Sequence, residues 1–142
     1  MRESKPILLV EDANATGPTA RTALDELGIR HGVVRVSNAA EALGYLKEAS
    51  SPEPAVILVD GSSGQVDVLE LVRALKQDEG LKQIPVITLT GSGDSRIINE
   101  SFGLGAVGYV VKPSDHQEFV EVMRTIYRYW TLSRVPSDVD LF

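Results

Sequence analysis

Five short apolar runs rich in β-branched residues punctuate the chain: Ile7 to Val10, Val33 to Val36, Ala55 to Val59, Val86 to Leu89 and Tyr109 to Val111. Near-continuous hydrophobicity of this kind suits parallel strands buried on both faces. Between the runs, apolar residues recur at i, i+3, i+4 and i+7. Ala20, Ala23, Leu24 and Leu27 form one such stripe, and Ala39, Ala42, Leu43 and Leu46 a second. Val68, Leu71, Val72 and Leu75 form a third, and Phe119, Val122, Met123 and Ile126 a fourth. Each predicts an amphipathic helix. A further helix, the least marked, is expected from Asp94 to Leu104, where only Ile97, Ile98 and Phe102 define a face.

Helix punctuation agrees with this phase. Pro18 suits a first helical position, and Asn38 with Glu41, Asp67 with Glu70 and Ser114 with Gln117 resemble capping boxes. Gly28 and Gly80 are placed to follow the first and third helices. Strand alternating with helix five times implies right-handed crossovers over a parallel sheet, a three-layer α/β arrangement. No boundary or long repeat interrupts it. From about Thr131 to Phe142 the helical stripe stops, leaving an extension.

With 142 residues, 43% hydrophobic and 24% charged, the chain has ordinary globular composition and enough length for one core. No apolar run approaches the roughly 20 residues of a membrane span, and the start, MRESKPILLVED, meets acids before a signal peptide could develop. A cytoplasmic protein without a membrane partner is expected. The absence of cysteine excludes disulfides, thiolate zinc sites and cysteine nucleophiles. A net charge of -6 with no basic stripe argues against nucleic acid, so the partner is expected to be a protein.

In a doubly wound sheet, ligands collect beyond the carboxyl ends of the strands. Here the first strand ends in Glu11-Asp12, the third in Asp60 and the fourth in Thr90, while the fifth runs into Lys112-Pro113. Taken singly, each residue has an ordinary role as a cap, turn or solvated charge. Their coincidence at one edge carries the inference. Three carboxylates in one pocket repel by about 4 kcal/mol per pair at ~4 Å and an effective dielectric near ~20, so they call for a cation or raised pKa values. Magnesium accepts such hard oxygen ligands and keeps positions for water and phosphate oxygens. Lys112 adds positive charge and Thr90 a hydroxyl, which together describe a phosphoryl site with Asp60 as nucleophile.

The motifs ILLVED, VILVD, PVITLTG and GYVVKP, in this order, resemble the receiver domains of bacterial two-component response regulators over about Lys5 to Tyr129. The resemblance implies a flavodoxin-like three-layer sandwich: a five-stranded parallel sheet of order 2-1-3-4-5 with five helices. Residues 1–130 would be the receiver and 131–142 a C-terminal extension. It further implies that Glu11 and Asp12 hold Mg2+ together with Asp60 and the backbone carbonyl of Ser62. Asp60 would take the phosphoryl group from a sensor histidine kinase, Thr90 would contact it and Lys112 pair with it. Gly91 matches a small position beside the phosphate, and Tyr109 the aromatic that swings inward when the threonine shifts. The Lys112-Pro113 bond is expected to be cis, as is usual in the family. Transfer to itself and self-dephosphorylation are the expected chemistry, with no turnover of an external substrate. The signal would leave by contact with a downstream protein target or by phosphorelay.

The chain departs from the family at Asp60-Gly-Ser-Ser-Gly-Gln, where Ser63 and Gly64 replace the usual leucine or methionine and proline. A more flexible loop bears on the speed and lifetime of phosphorylation. It also supports an alternative, a degenerate receiver that serves as a phosphorylation-independent interaction module. The intact acidic pair, Thr90 and Lys112 oppose that alternative. An aspartyl-phosphate phosphohydrolase is disfavoured, because no second acid closely follows Asp60 and no cap segment exists. Thr16, at a place in the first loop often held by an acid or other polar group, supports no functional conclusion.

Gly103-Leu-Gly105-Ala-Val-Gly108 satisfies G-x-G-x-x-G, but it closes a helix and enters a strand, the reverse of a dinucleotide site. His31 and His116 lack partners at metal-ligand spacing and are expected to be solvated. Tyr127, Tyr129 and Trp130 cannot all share the core face of the last helix, and Leu132, Val135, Val139, Leu141 and Phe142 follow. These residues predict a homodimer through the last helix and the tail. A similar extended end resembles receivers that partner phytochrome-type sensor kinases.

Overall fold

The computed structural model describes residues 5–14, 19–29, 32–60, 68–90, 99–100, 103 and 108–132. In chain order the elements are β1 (Ile7–Val10), α1 (Ala20–Glu26), β2 (Val33–Val36), α2 (Ala39–Lys47), β3 (Val56–Asp60), α3 (Val68–Lys76), β4 (Val86–Thr90), β5 (Gly108–Val111) and α4 (His116–Leu132). All strands pair in parallel in the order β2-β1-β3-β4-β5, as expected. Among the described residues four helices are defined, where five were expected. The expected helix from Asp94 to Leu104 lies almost wholly outside the described residues, although Asn99, Glu100 and Gly103 are helical.

Position in the sheet explains the strand composition. β1 and β3 lie inside the sheet and are buried along their whole length, whereas the edge strands β2 and β5 are only partly covered. Alternate residues of the inner strands feed two cores. Leu8, Val10, Ile57 and Val59 pack with Val68, Leu71, Val72 and Leu75 of α3 and with Ala39 and Ala42 of α2. Ile7, Leu9, Val56 and Leu58 point the other way, against α1 and against Phe119, Met123 and Ile126 of α4. Full burial of such a side chain is worth roughly 1.5–3 kcal/mol, so the two cores anchor the sheet from both faces.

The helix ends correct several sequence expectations. α1 begins at Ala20, later than Pro18 would set it, because Thr19 is the cap. Its hydroxyl accepts the Thr22 N–H at 3.1 Å, and the Thr22 hydroxyl accepts the Thr19 N–H at 3.1 Å. Its end is as expected: Gly28 takes a φ of 71°, with its N–H on the Asp25 carbonyl and that of Ile29 on Leu24. These two bonds satisfy carbonyls that the helix leaves open. Asn38 caps α2 as expected, accepting from Glu41 N at 2.8 Å, while Glu41 Oε1 reaches one residue further back, to the Ser37 N–H.

At α4 the cap is Asp115, whose Oδ2 accepts the Glu118 N–H at 2.9 Å, and not Ser114. An aspartate next to the first turn offers a full charge to the helix dipole, which a serine lacks. Gly80 sits in the turn beyond α3 with its N–H on Asp78 Oδ1 and supplies no left-handed cap. Asp67 lies outside the described residues. The Lys112-Pro113 bond is trans, against expectation, as is every other described peptide bond. Trans is the lower-energy isomer by about 0.5–1 kcal/mol. His116 is not simply solvated, since its Nε2 lies 2.8 Å from Glu26 Oε2 and ties the start of α4 to the end of α1. His31 is outside the described residues.

Candidate functional site

The carboxyl edge of the sheet gathers the chemistry. Asp60 is the last residue of β3 and is only 3% exposed, while Glu11 follows β1 directly and is 6% exposed. Lys112 follows β5 and extends its ammonium to 2.8 Å from Asp60 Oδ2. Its Nζ also lies 5.1 Å from the centroid of the Phe119 ring. Burial makes this pair expensive to dehydrate, so close contact and the ring face of Phe119 both serve to offset that cost.

Glu11 bridges two partners. Its Oε2 accepts the Ala20 N–H at 2.7 Å and its Oε1 the Arg21 N–H at 3.3 Å, so the carboxylate sits on the free N–H groups that start α1. The other contact is with Asp60. Burial, a hydrogen bond with Asp60 and the charge of Asp60 push the Glu11 carboxyl up to about 6, against the pull of the two backbone N–H groups. A carboxyl raised in this way takes up a proton at mildly acid pH, which relieves the repulsion between the two acids.

Asp12 does not join this pair. It is half-buried, and its Oδ1 accepts the Asn14 N–H at 3.1 Å. Among the described residues no three acidic or histidine side chains gather closely enough to hold a metal ion. The structure therefore brings Glu11, Asp60 and Lys112 together and leaves Asp12 turned into its own loop. Thr90 ends β4 and pairs in register with Val111, but its side chain lies outside the described atoms. Ser62, Gly91 and Thr16 lie outside the described residues as well. Tyr109, on β5, is 44% exposed.

Some contributors were not singled out from sequence. The N-terminus of α1 as a partner for Glu11 was legible in part, from Thr19 and Thr22 following the acidic pair at cap spacing. Arg21 guanidinium reaches the Ala13 carbonyl at 3.2 Å and holds the loop after Asp12. Nothing in the local pattern marks that contact. Phe119 reads simply as core, and its place beneath the lysine depends on the packing of α4.

A parallel three-layer sheet whose carboxyl edge holds a buried aspartate against a lysine is the framework of a phospho-acceptor signalling domain. The chain belongs to the response regulator receiver domain family, which matches residues 7–124, and is a receiver of two-component response regulators. Response regulator Rcp1 of Synechocystis sp. is 28% identical over 130 residues, 89% of this chain and 88% of that protein. Two solved structures are similar throughout. The phosphorylated cyanobacterial phytochrome response regulator RcpA aligns with a TM-score of 0.77 at 29% identity, covering 94% of this chain and 99% of its own. The Mn2+-bound form of Rcp1 aligns with a TM-score of 0.76 at 26% identity, covering 92% of this chain and 97% of its own. Among the described residues no helix is long and apolar enough to cross a membrane.

Proposed function

We propose that Asp60 accepts a phosphoryl group from the phosphohistidine of a sensor histidine kinase and that the acylphosphate switches the surface around Thr90 and Tyr109. The observation that carries this reading is the buried contact between Lys112 Nζ and Asp60 Oδ2 at 2.8 Å. A carboxylate paired with an ammonium is positioned for attack, and the same ammonium then neutralises an oxygen of the transferred group. In the transfer the P–N bond of the donor breaks, its electrons return to the imidazole, and an O–P bond forms at Asp60.

The oxygen chemistry of the site suits a hard divalent cation once Asp12 turns toward Glu11 and Asp60. Glu11 and Asp60 are buried oxygen donors whose proximity raises the Glu11 carboxyl, and Asp12 lies next in sequence. Mg2+ would be held by Asp60, Asp12 and Glu11 with the carbonyl of Ser62, and a solved relative with Mn2+ bound supports a divalent ion. When bound, the ion neutralises charge on the phosphoryl oxygens. Glu11, anchored on the N-terminus of α1, orients the acidic edge of the site. Asp12 needs only to release the Asn14 N–H to turn toward it.

Residues 1–130 act as the receiver and 131–142 as an extension, in a cytoplasmic protein that passes its signal to a downstream protein or relay. The phytochrome response regulator among its relatives supports a phytochrome-type kinase as partner. A homodimer through α4 and the tail accounts for Tyr129, which is 60% exposed on α4 and packs edge-on against Trp130. Incubation with acetyl phosphate and magnesium tests the central step. The wild type should gain the mass of one phosphoryl group and Asp60→Asn none; equal labelling of both would overturn the assignment.

A further inference from the structure

Thr88 lies near the middle of β4, 1% exposed, and its hydroxyl has no hydrogen-bond partner among the described residues. A buried hydroxyl left unpaired is costly, and native interiors rarely keep one without a reason. Its surroundings narrow the search for that reason. In register, Thr88 stands between Val59 on β3 and Tyr109 on β5, and two residues before it on its own strand is Val86. The valines carry no polar side-chain atom. Register partners in a parallel sheet project to the same face, so Thr88 and Tyr109 share one face of the sheet. Thr88 is also two positions from Thr90 along β4.

We infer that Thr88 is a positioning residue of the switch: its hydroxyl is left unpaired in the resting state and takes a hydrogen bond with the Tyr109 hydroxyl when that ring turns inward. The inference rests on the proposed phosphorylation of Asp60. Tyr109 is 44% exposed in the resting arrangement and carries a phenolic group able to donate or accept. A penalty borne by the resting state alone raises that state toward the switched one, so less differential binding is needed to move the equilibrium. Thr88 thus tunes how readily the domain responds without touching the phosphoryl group. No other described side chain flanking Thr88 in the sheet is chemically able to do this.

The test uses the full chain, with beryllofluoride and magnesium as the phosphoryl mimic, and the variants Thr88→Val, Thr88→Ser and Tyr109→Phe. Valine matches threonine in shape and removes only the hydroxyl. Thr88→Val should melt higher than wild type in the resting state, because the orphan is gone. It should also bind beryllofluoride about tenfold more weakly, the size expected for one hydrogen bond made in only one state. Thr88→Ser should stay close to wild type. In the Tyr109→Phe background the valine substitution should change the affinity less than about twofold, since the partner is missing. Unchanged affinity in Thr88→Val, or the same loss with and without the Tyr109 hydroxyl, would overturn the inference. Failure of the wild type itself to bind beryllofluoride would instead overturn the phosphorylation reading, and the inference with it.

Discussion

The side chains of Lys112 and Asp60, 52 positions apart in sequence, meet at 2.8 Å beneath the carboxyl edge of the sheet. β5 delivers one and β3 the other, with β4 between them, so the contact depends on the whole right half of the sheet. Replacing Lys112 by Met keeps the aliphatic stem over Phe119 and removes the charge. Breaking a buried pair from one side costs about 3–5 kcal/mol, and proton uptake by the raised Glu11 carboxyl should soften that. The expected outcome is a urea midpoint corresponding to a loss of about 2–4 kcal/mol, with phosphoryl transfer slowed at least about tenfold.

Glu11 gives the protein a distinctive pH dependence without metal. Its carboxyl is raised from 4.5 to about 6 by burial and by Asp60, so the folded state holds a proton that the unfolded chain releases earlier. The stability this contributes is full below about pH 4.5 and is lost as pH rises through about 6. The shift corresponds to about 2 kcal/mol. Measured in chelator, the stability of wild type relative to Glu11→Gln should fall by about that amount between about pH 4 and about pH 7. Magnesium should recover it, because the cation takes the place of the proton. A constant difference across this range would show that Glu11 titrates normally.

Gly28 closes α1 with a φ of 71°, and no atom lies within 4 Å of where a Cβ would stand. Gly28→Ala should therefore cost only the left-handed backbone penalty, about 1–2 kcal/mol, with the fold retained. Thermal melting of the two proteins checks this.

Much of this architecture was legible in the residues. The stripe on α3 is fully buried, as its period required, and the strand runs are displaced by at most a residue. What failed were the details that tertiary contacts decide. Ser114 and Asp115 are both acceptable caps, and the start of the helix at His116 makes the aspartate the capping residue. His116 read as solvated because its partner, Glu26, lies on a helix 90 residues away in sequence. At the site, the sheet edge placed Glu11, Asp60 and Lys112 correctly, since strand ends fix position. The turn of Asp12 toward Asn14 is a loop property, and no hydrophobic period reports it.

The association surface has a simple test. Sedimentation of the full chain at tens of micromolar, roughly where modest interfaces hold, should give a dimer, and a version ending at Tyr129 should give a monomer. A monomer in both cases would reject the interface through α4 and the tail.

The phosphorylated carboxylate itself can be read chemically. Borohydride reduces an acylphosphate on aspartate to homoserine, releasing phosphate, and leaves free carboxylates untouched. After acetyl phosphate, magnesium and borohydride, peptide mass mapping should find homoserine at residue 60 and nowhere else. Homoserine at residue 12, or phosphorylated protein with Asp60 intact, would contradict the account.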